Sequence, residues 1–327
     1  MPGPHDLFNR PINYLRISVT DRCNLRCVYC MPLQGIALFP HGDILTYEEI
    51  TRIVQAAAEL GISKVRLTGG EPLVREGLPK LVSMIKAVPG IDDISLTTNG
   101  IYLEKFARPL KGAGLKRVNV SLDSLDAEKF KGLTRGGDLN TALRGIKAAN
   151  EVGLTPLKVN VVVMRSVNDD EIERFARLTV TDGWHVRFIE LMPFVTEEGM
   201  RGKFIPISEV RARLQKLGEL EASAAPITGN GPAKYYRFSG AAGTIGFISP
   251  VSDHFCFSCN RLRLTADGKL WPCLLNDNEI DLRRHMRSGA DAETLKQLIQ
   301  DAIKNKPQKH RLEQDLILQR PMTKLGG

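Results

Sequence analysis

Leu15-Arg16-Ile17-Ser18-Val19-Thr20 runs directly into Asp21-Arg22-Cys23-Asn24-Leu25-Arg26-Cys27-Val28-Tyr29-Cys30, an apolar strand followed by a loop with three cysteines. Five more strand-like runs follow at residues 64–68, 94–98, 117–122, 157–164 and 185–191. Helical patterns fill most of the gaps. Thr46 with Glu49 three residues on predicts a capping box, and Ile50, Ile53, Val54, Ala57 and Leu60 form the apolar face behind it. A second helix is expected from a cap at Asn140, and a third from Asn168 with Glu171 at the reciprocal position. Strands that are apolar throughout and alternate with helices indicate a parallel sheet covered by helices. Six such units make an open barrel or a doubly wound sheet. In a barrel the active site lies at the C-terminal ends of the strands. The polar punctuation falls there: the cysteine loop, then Gly69–Glu71, Asn99 and Asp123.

The chain has 327 residues, 43% hydrophobic and 25% charged, so it is neither disordered nor a coiled-coil rod. No apolar run approaches the roughly 20 residues of a membrane span. Residues 1–10 contain no apolar signal core, and the expected location is the cytoplasm. The net charge of +8 attracts anions. No helix-turn-helix, zinc-finger or RNA-binding signature accompanies it, so no nucleic-acid partner is expected. The densest basic run, residues 304–311, reads as a solvated helix end. After about residue 220 the pattern changes. Residues 222–232 read as a connection, and short strands follow at 244–249, 261–265 and 269–271, the last two joined by the turn Ala266-Asp267-Gly268. The expected domains are 1–225 and 226–327.

The six cysteines fall in two triplets, Cys23, Cys27, Cys30 and Cys256, Cys259, Cys273. Scattered core cysteines would not group in this way, and a reducing compartment argues against disulfides. Spacings of three and two let one loop wrap three corners of an iron–sulfur cluster that normally takes four thiolates. One iron is then left open. The second triplet admits two readings: zinc held by Cys3His with His254 as fourth ligand, or another cluster with an open iron.

Arg261 and Arg263 follow Cys259 and share one face of a strand, with Leu262 and Leu264 on the other. Arg16, Arg66, Lys158 and Arg187 likewise interrupt apolar strands. Cations pointing into a barrel need a partner. With no matching carboxylates in the same strands, that partner is a ligand, and guanidiniums suit a polyphosphate.

The triplet with Tyr29, together with Gly69-Gly70-Glu71-Pro72, resembles the radical S-adenosylmethionine (SAM) superfamily. The closer resemblance is to its GTP 3′,8-cyclase family of molybdenum cofactor biosynthesis. It rests on Thr20–Asn24 through Tyr29–Pro32, Val65–Pro72, Leu96–Gly100, Val120–Asp123, Phe188–Pro193, the second triplet and the terminal Gly326-Gly327. It implies an α/β fold: an incomplete (β/α)6-type radical SAM barrel with a smaller C-terminal α+β domain carrying a second iron–sulfur cluster. The implied activity is a lyase that joins ribose C3′ of GTP to guanine C8 by radical chemistry. The implied cofactors are two 4Fe-4S clusters and SAM, with an external one-electron reductant.

By the same resemblance, Cys23, Cys27 and Cys30 hold the first cluster and Cys256, Cys259 and Cys273 the second. Tyr29, Gly70, Ser121 and Met192 contact SAM. Arg16, Arg66, Thr97, Lys158, Arg187, Arg261 and Arg263 bind substrate, and Arg261 and Arg263 also join the first triplet in the catalytic set. The Gly-Gly tail is expected to complete the active site, so that its deletion removes cyclisation while both clusters stay bound. A homodimer is carried as an expectation that the residues do not fix. The alternative function is a peptide-modifying radical enzyme with an auxiliary cluster.

Overall fold

A computed structural model of the chain describes residues 3–192, 198–223, 231–276, 278–310 and 322–325. Most of the connection expected at 222–232 and the whole Gly326-Gly327 tail lie outside the described residues.

The six expected strands form within a residue or two of their anticipated bounds. They are β1 (Tyr14–Ser18), β2 (Lys64–Thr68), β3 (Asp93–Thr98), β4 (Arg117–Ser121), β5 (Lys158–Val163) and β6 (His185–Glu190). All pair in parallel, each with the next in sequence. Six more strands follow: β7 (Leu220–Ala222), β8 (Lys234–Phe238), β9 (Thr244–Ile248), β10 (Arg261–Leu264), β11 (Lys269–Trp271) and β12 (Ile280–Asp281). The later strands extend both edges of the one sheet. β9 adds in parallel to β6, and β10 adds in parallel to β1. The sheet order is β12-β11-β10-β1-β2-β3-β4-β5-β6-β9-β8-β7, and its two ends do not pair, so the barrel is incomplete.

The alternation of β1 sets the layers. Leu15 and Ile17 are buried in one core with the helices, while Tyr14 and Arg16 line the opposite, cavity side. Helix Tyr47–Glu59 begins at the expected capping box, in which Glu49 N donates to Thr46 Oγ1 (3.1 Å) and Thr46 N to Glu49 Oε2 (2.8 Å). Helix Ala292–Lys304 packs on it.

Two expected caps are displaced. Helix Leu139–Glu151 is capped by Asp138, whose carboxylate accepts from Asn140 N and Thr141 N, two residues ahead of the expected Asn140. Asn168 makes no cap. Its Nδ2 donates to the carbonyls of Asp123 (2.8 Å) and Val162 (2.9 Å), and Glu171 accepts from Ser124 Oγ (2.7 Å) and Leu125 N (2.7 Å). Tertiary partners outcompete the local cap at both residues.

Candidate active site

Strand direction places the two cysteine triplets. Cys23, Cys27 and Cys30 follow the C-terminal end of β1. Cys256 and Cys259 precede the N-terminal end of β10, which runs parallel to β1 with Tyr14 opposite Arg261. Cys273 follows β11, antiparallel to β10, and so returns to the same end. The triplets therefore lie at opposite ends of the strands, separated by roughly 13 Å of β1 at ~3.3 Å per residue. All six cysteines line one cavity of about 300 Å³.

The first loop is fixed through the glycines of Gly69-Gly70. Gly70 N donates to Thr20 O (2.9 Å) and Glu71 N to Arg22 O (2.8 Å). A Cβ on Gly69 would meet Thr20 O at 2.5 Å, and one on Gly70 would meet Arg22 O at 2.3 Å. The glycines thus let the backbone of the cysteine loop dock. Glu71 is fully buried and accepts from Leu73 N, Thr98 Oγ1 and Asn99 N, and burial raises its carboxyl to about 7. Asn99 Nδ2 lies 4.0 Å from Cys23 Sγ and donates to Asn24 Oδ1 (2.8 Å). Tyr29 donates to Asp123 Oδ2 (2.6 Å), and Val162 N donates to the other oxygen (2.8 Å). Burial raises Asp123 to about 6.

Burial pushes the thiols of Cys23 and Cys30 up to about 11 and about 12. Cys259 differs. Burial also works to raise it, but the charges of Arg261 and Lys306 prevail and bring it down to about 6. Among the described residues no three His, Cys, Asp or Glu side chains converge on a single ion. His254 lines the cavity, but its ring packs against Phe257 and His310, 5.6 and 5.0 Å between centroids. Thiols spaced around a cavity suit a multi-iron cluster, whose irons each take a separate thiolate.

Between the triplets stands a row of cations. Arg263, Arg16 and Arg66 are mutual register partners on β10, β1 and β2. Arg187 reaches the same cavity from β6. Burial, then Arg261, lowers Arg263 to about 10. The Nε atoms of Arg66 and Arg187, Oγ1 of Thr97 and Oδ1 of Asn160 are buried with no hydrogen-bond partner among the described residues. The guanidinium Nε–H groups and the Thr97 hydroxyl are donors that an oxygen-rich anion would satisfy, whereas Asn160 Oδ1 is an acceptor and calls for a donor on the ligand. On β3, Asp93 pairs with Arg117 of the neighbouring β4 (2.6 Å).

Tyr29, Gly70, Thr97, Ser121, Met192, Arg16, Arg66, Arg187, Arg261 and Arg263 all line the cavity. Lys158 does not. It is buried, with Nζ 5.6 Å from the Tyr235 ring centroid, and burial and then Arg187 lower it to about 6.

The structure adds residues that the sequence reading left out. Tyr14 and Asn160 line the cavity from β1 and β5, where a polar residue in an apolar strand was a visible signal. Lys306 corrects the expected solvated run: it is 3% exposed and lines the cavity beside the second triplet. Arg10, also buried, holds Cys256 O (2.6 Å). No local pattern marks either cation, because both act across the fold.

Comparison with known proteins agrees with this geometry. The radical SAM superfamily profile matches residues 17–179, and the Molybdenum Cofactor Synthesis C profile matches residues 184–312. The crystal structure of Streptococcus suis SuiB bound to S-adenosylmethionine shares the fold, with a TM-score of 0.61 at 16% identity, over 93% of this chain and 77% of that one. A GTP 3′,8-cyclase of Pelotomaculum thermopropionicum is 52% identical over 324 residues, 98% of this chain and 99% of that protein. One of Moorella thermoacetica is 50% identical over 322 residues, with 98% and 99% coverage. Sharing half of its residues with such cyclases along nearly all of its length, the chain belongs to the GTP 3′,8-cyclase family of the radical SAM superfamily.

Proposed function

We propose that this chain converts GTP to (8S)-3′,8-cyclo-7,8-dihydroguanosine 5′-triphosphate in molybdenum cofactor biosynthesis. The observation that carries the assignment of roles is the registered row of guanidiniums between two cysteine triplets in one cavity. Membership of the superfamily implies a four-iron cluster and SAM. When bound, they supply a one-electron cleavage, fed by an external reductant, whose product radical removes the 3′ hydrogen of the ribose.

The chain's own residues provide placement. Cys23, Cys27 and Cys30 hold the first cluster, on a loop docked against Gly69 and Gly70. Tyr29, Gly70, Ser121 and Met192 surround SAM at that end. Arg16, Arg66, Arg187, Arg261 and Arg263 neutralise the triphosphate, with Thr97 and Asn160 offering further buried polar atoms. Cys256, Cys259 and Cys273 would hold a second cluster, which would supply a site for the guanine base. Arg261 Nη2 lies 3.8 Å from Cys259 Sγ, so one strand joins that cluster to the phosphate-binding row. A site that coordinates and hydrogen-bonds one base rejects another by leaving polar groups unpaired.

The test uses reduced, anaerobic, iron-reconstituted protein with SAM, and measures 5′-deoxyadenosine with GTP, with ATP and without nucleotide. Formation dependent on GTP supports the reading. Formation indifferent to nucleotide would discard GTP and bring forward a peptide substrate.

A further inference from the structure

The C-terminal basic run contains a buried cation that the reaction outlined above does not use. Lys306 Nζ donates to the carbonyls of Arg261 (2.8 Å) and Pro272 (2.5 Å). Arg261 stands two residues after Cys259, and Pro272 immediately precedes Cys273. An ammonium has three donors, and neither of these two partners is charged. A buried cation satisfied only by neutral carbonyls leaves its charge uncompensated, which favours an anion beside it. The side chain lines the cavity next to the second triplet.

Arg10 secures the remaining cysteine in the same way. Its Nη1 donates to Cys256 O (2.6 Å) and Gln308 O (3.1 Å), and its Nη2 to Pro307 O (2.8 Å). Asp6 locks it through Nε (2.6 Å) and so neutralises it. A carbonyl at or near each cysteine of the second triplet is thus held by a buried cation from a distant segment. Arg10 has its counter-charge in Asp6, whereas among the described residues Lys306 is paired with no carboxylate.

We propose that Lys306 is the positioning and charge-compensating residue of the second triplet, fixing the backbone beside Cys259 and Cys273 and supplying the positive charge that offsets an anionic iron–sulfur cluster held there. The proposal rests on the second-cluster reading. A cation beside a cluster favours its reduced, more negative state. Removing the charge should therefore shift that cluster's reduction potential in the negative direction.

The experiment is a redox titration monitored by electron paramagnetic resonance on reconstituted wild type, Lys306→Gln, Lys306→Met and Lys306→Arg, with the first cluster as internal reference. Lys306→Gln can still donate to the same carbonyls without charge. We expect it to shift the second cluster negatively, to leave the first unchanged and to raise the GTP KM. Lys306→Arg should restore the potential. Lys306→Met should reproduce the shift or lose iron from the second triplet alone. A two-cluster wild type with an unchanged second potential in Lys306→Gln overturns this proposal and leaves the cyclase reading standing. Equal displacement of both clusters, or no restoration by Lys306→Arg, reduces Lys306 to packing and also overturns it. A wild type holding only one cluster removes the second-cluster reading and this proposal with it.

Discussion

Gly70→Ala tests how the first cysteine loop is held. A Cβ there lies 2.3 Å from Arg22 O, 2.7 Å from Arg22 C and 3.0 Å from Asp21 O, where ordinary contact begins near 3.4 Å. The obstacle is backbone, so a rotamer change cannot relieve it. Arg22 must retreat by roughly 1 Å, an overpacking that costs about 1–3 kcal/mol. The hydrogen bond from Glu71 N to Arg22 O (2.8 Å) weakens with it, at about 1 kcal/mol. Arg22 adjoins Cys23, so the first iron ligand moves as well. A displacement of ~1 Å at a reacting centre costs on the order of 100-fold in rate. The assay is 5′-deoxyadenosine formation per iron-loaded chain, beside thermal unfolding of the metal-free protein. Gly132→Ala is the control: it lies in a helix with nothing within 4 Å of its Cβ, and should be neutral or up to ~1 kcal/mol stabilising. The expected result is a rate drop near 100-fold in Gly70→Ala alone, with iron lost first from the first triplet. A Gly70→Ala protein with the wild-type rate would refute the docking argument.

Gly246→Ala places a Cβ 2.8 Å from Arg187 Cγ and 3.0 Å from the Tyr235 ring, so GTP KM should rise; steady-state kinetics decides. Asp93→Asn leaves Arg117 as a buried unpaired charge and should destabilise by about 3–5 kcal/mol in urea melts, against less than ~1 kcal/mol for Glu48→Gln in the exposed pair with Lys80. Lys158 falls from its ordinary 10.5 to about 6, so between those values the unfolded chain binds the proton and the folded chain does not. Its contribution to stability therefore rises with pH across that window, and Lys158→Met should flatten the slope of stability measured from pH 6.5 to 9. Tripolyphosphate at ~100 times its Kd should stabilise the metal-free protein by about 2.7 kcal/mol, seen as a raised Tm. A rise with guanosine and none with tripolyphosphate would contradict an anion-binding row.

What could be read from the sequence depended on how far each residue's partner lies. The parity of Leu15-Arg16-Ile17 and of Arg261-Leu262-Arg263-Leu264 exposed both the strands and their charged face, because alternation is local. The Thr46–Glu49 cap was legible for the same reason. Asn168 and Glu171 carry the same pattern, yet they serve Asp123, Val162, Ser124 and Leu125 across the fold. β8 was missed because Lys-Tyr-Tyr-Arg-Phe is half-buried near a sheet edge and lacks a clear apolar face. The pairing of β10 with β1 joins residues about 250 positions apart, and no local pattern encodes it. Lys306 inside a basic run looks like a solvated residue until that pairing brings Arg261 and Pro272 to its ammonium.

That one pairing also sets the energetics of the site. Parallel strands in register put Arg263, Arg16 and Arg66 side by side at a strand spacing of about 4.8 Å. At an effective dielectric of ~20, neighbouring charges that close repel by about 3 kcal/mol. The opposite faces of the same strands carry Leu262, Leu264, Leu15, Ile17, Val65 and Leu67, all at most 1% exposed. Each contributes about 1.5–3 kcal/mol on burial. Burial of this apolar face favours the fold that brings the cations side by side. Were β10 antiparallel, Cys259 would fall beside the first triplet and the row would no longer lie between two metal-binding ends. Because the fold already bears the repulsion, an arriving polyphosphate gains from its relief, and the same strands that position the anion lead from one cysteine triplet to the other.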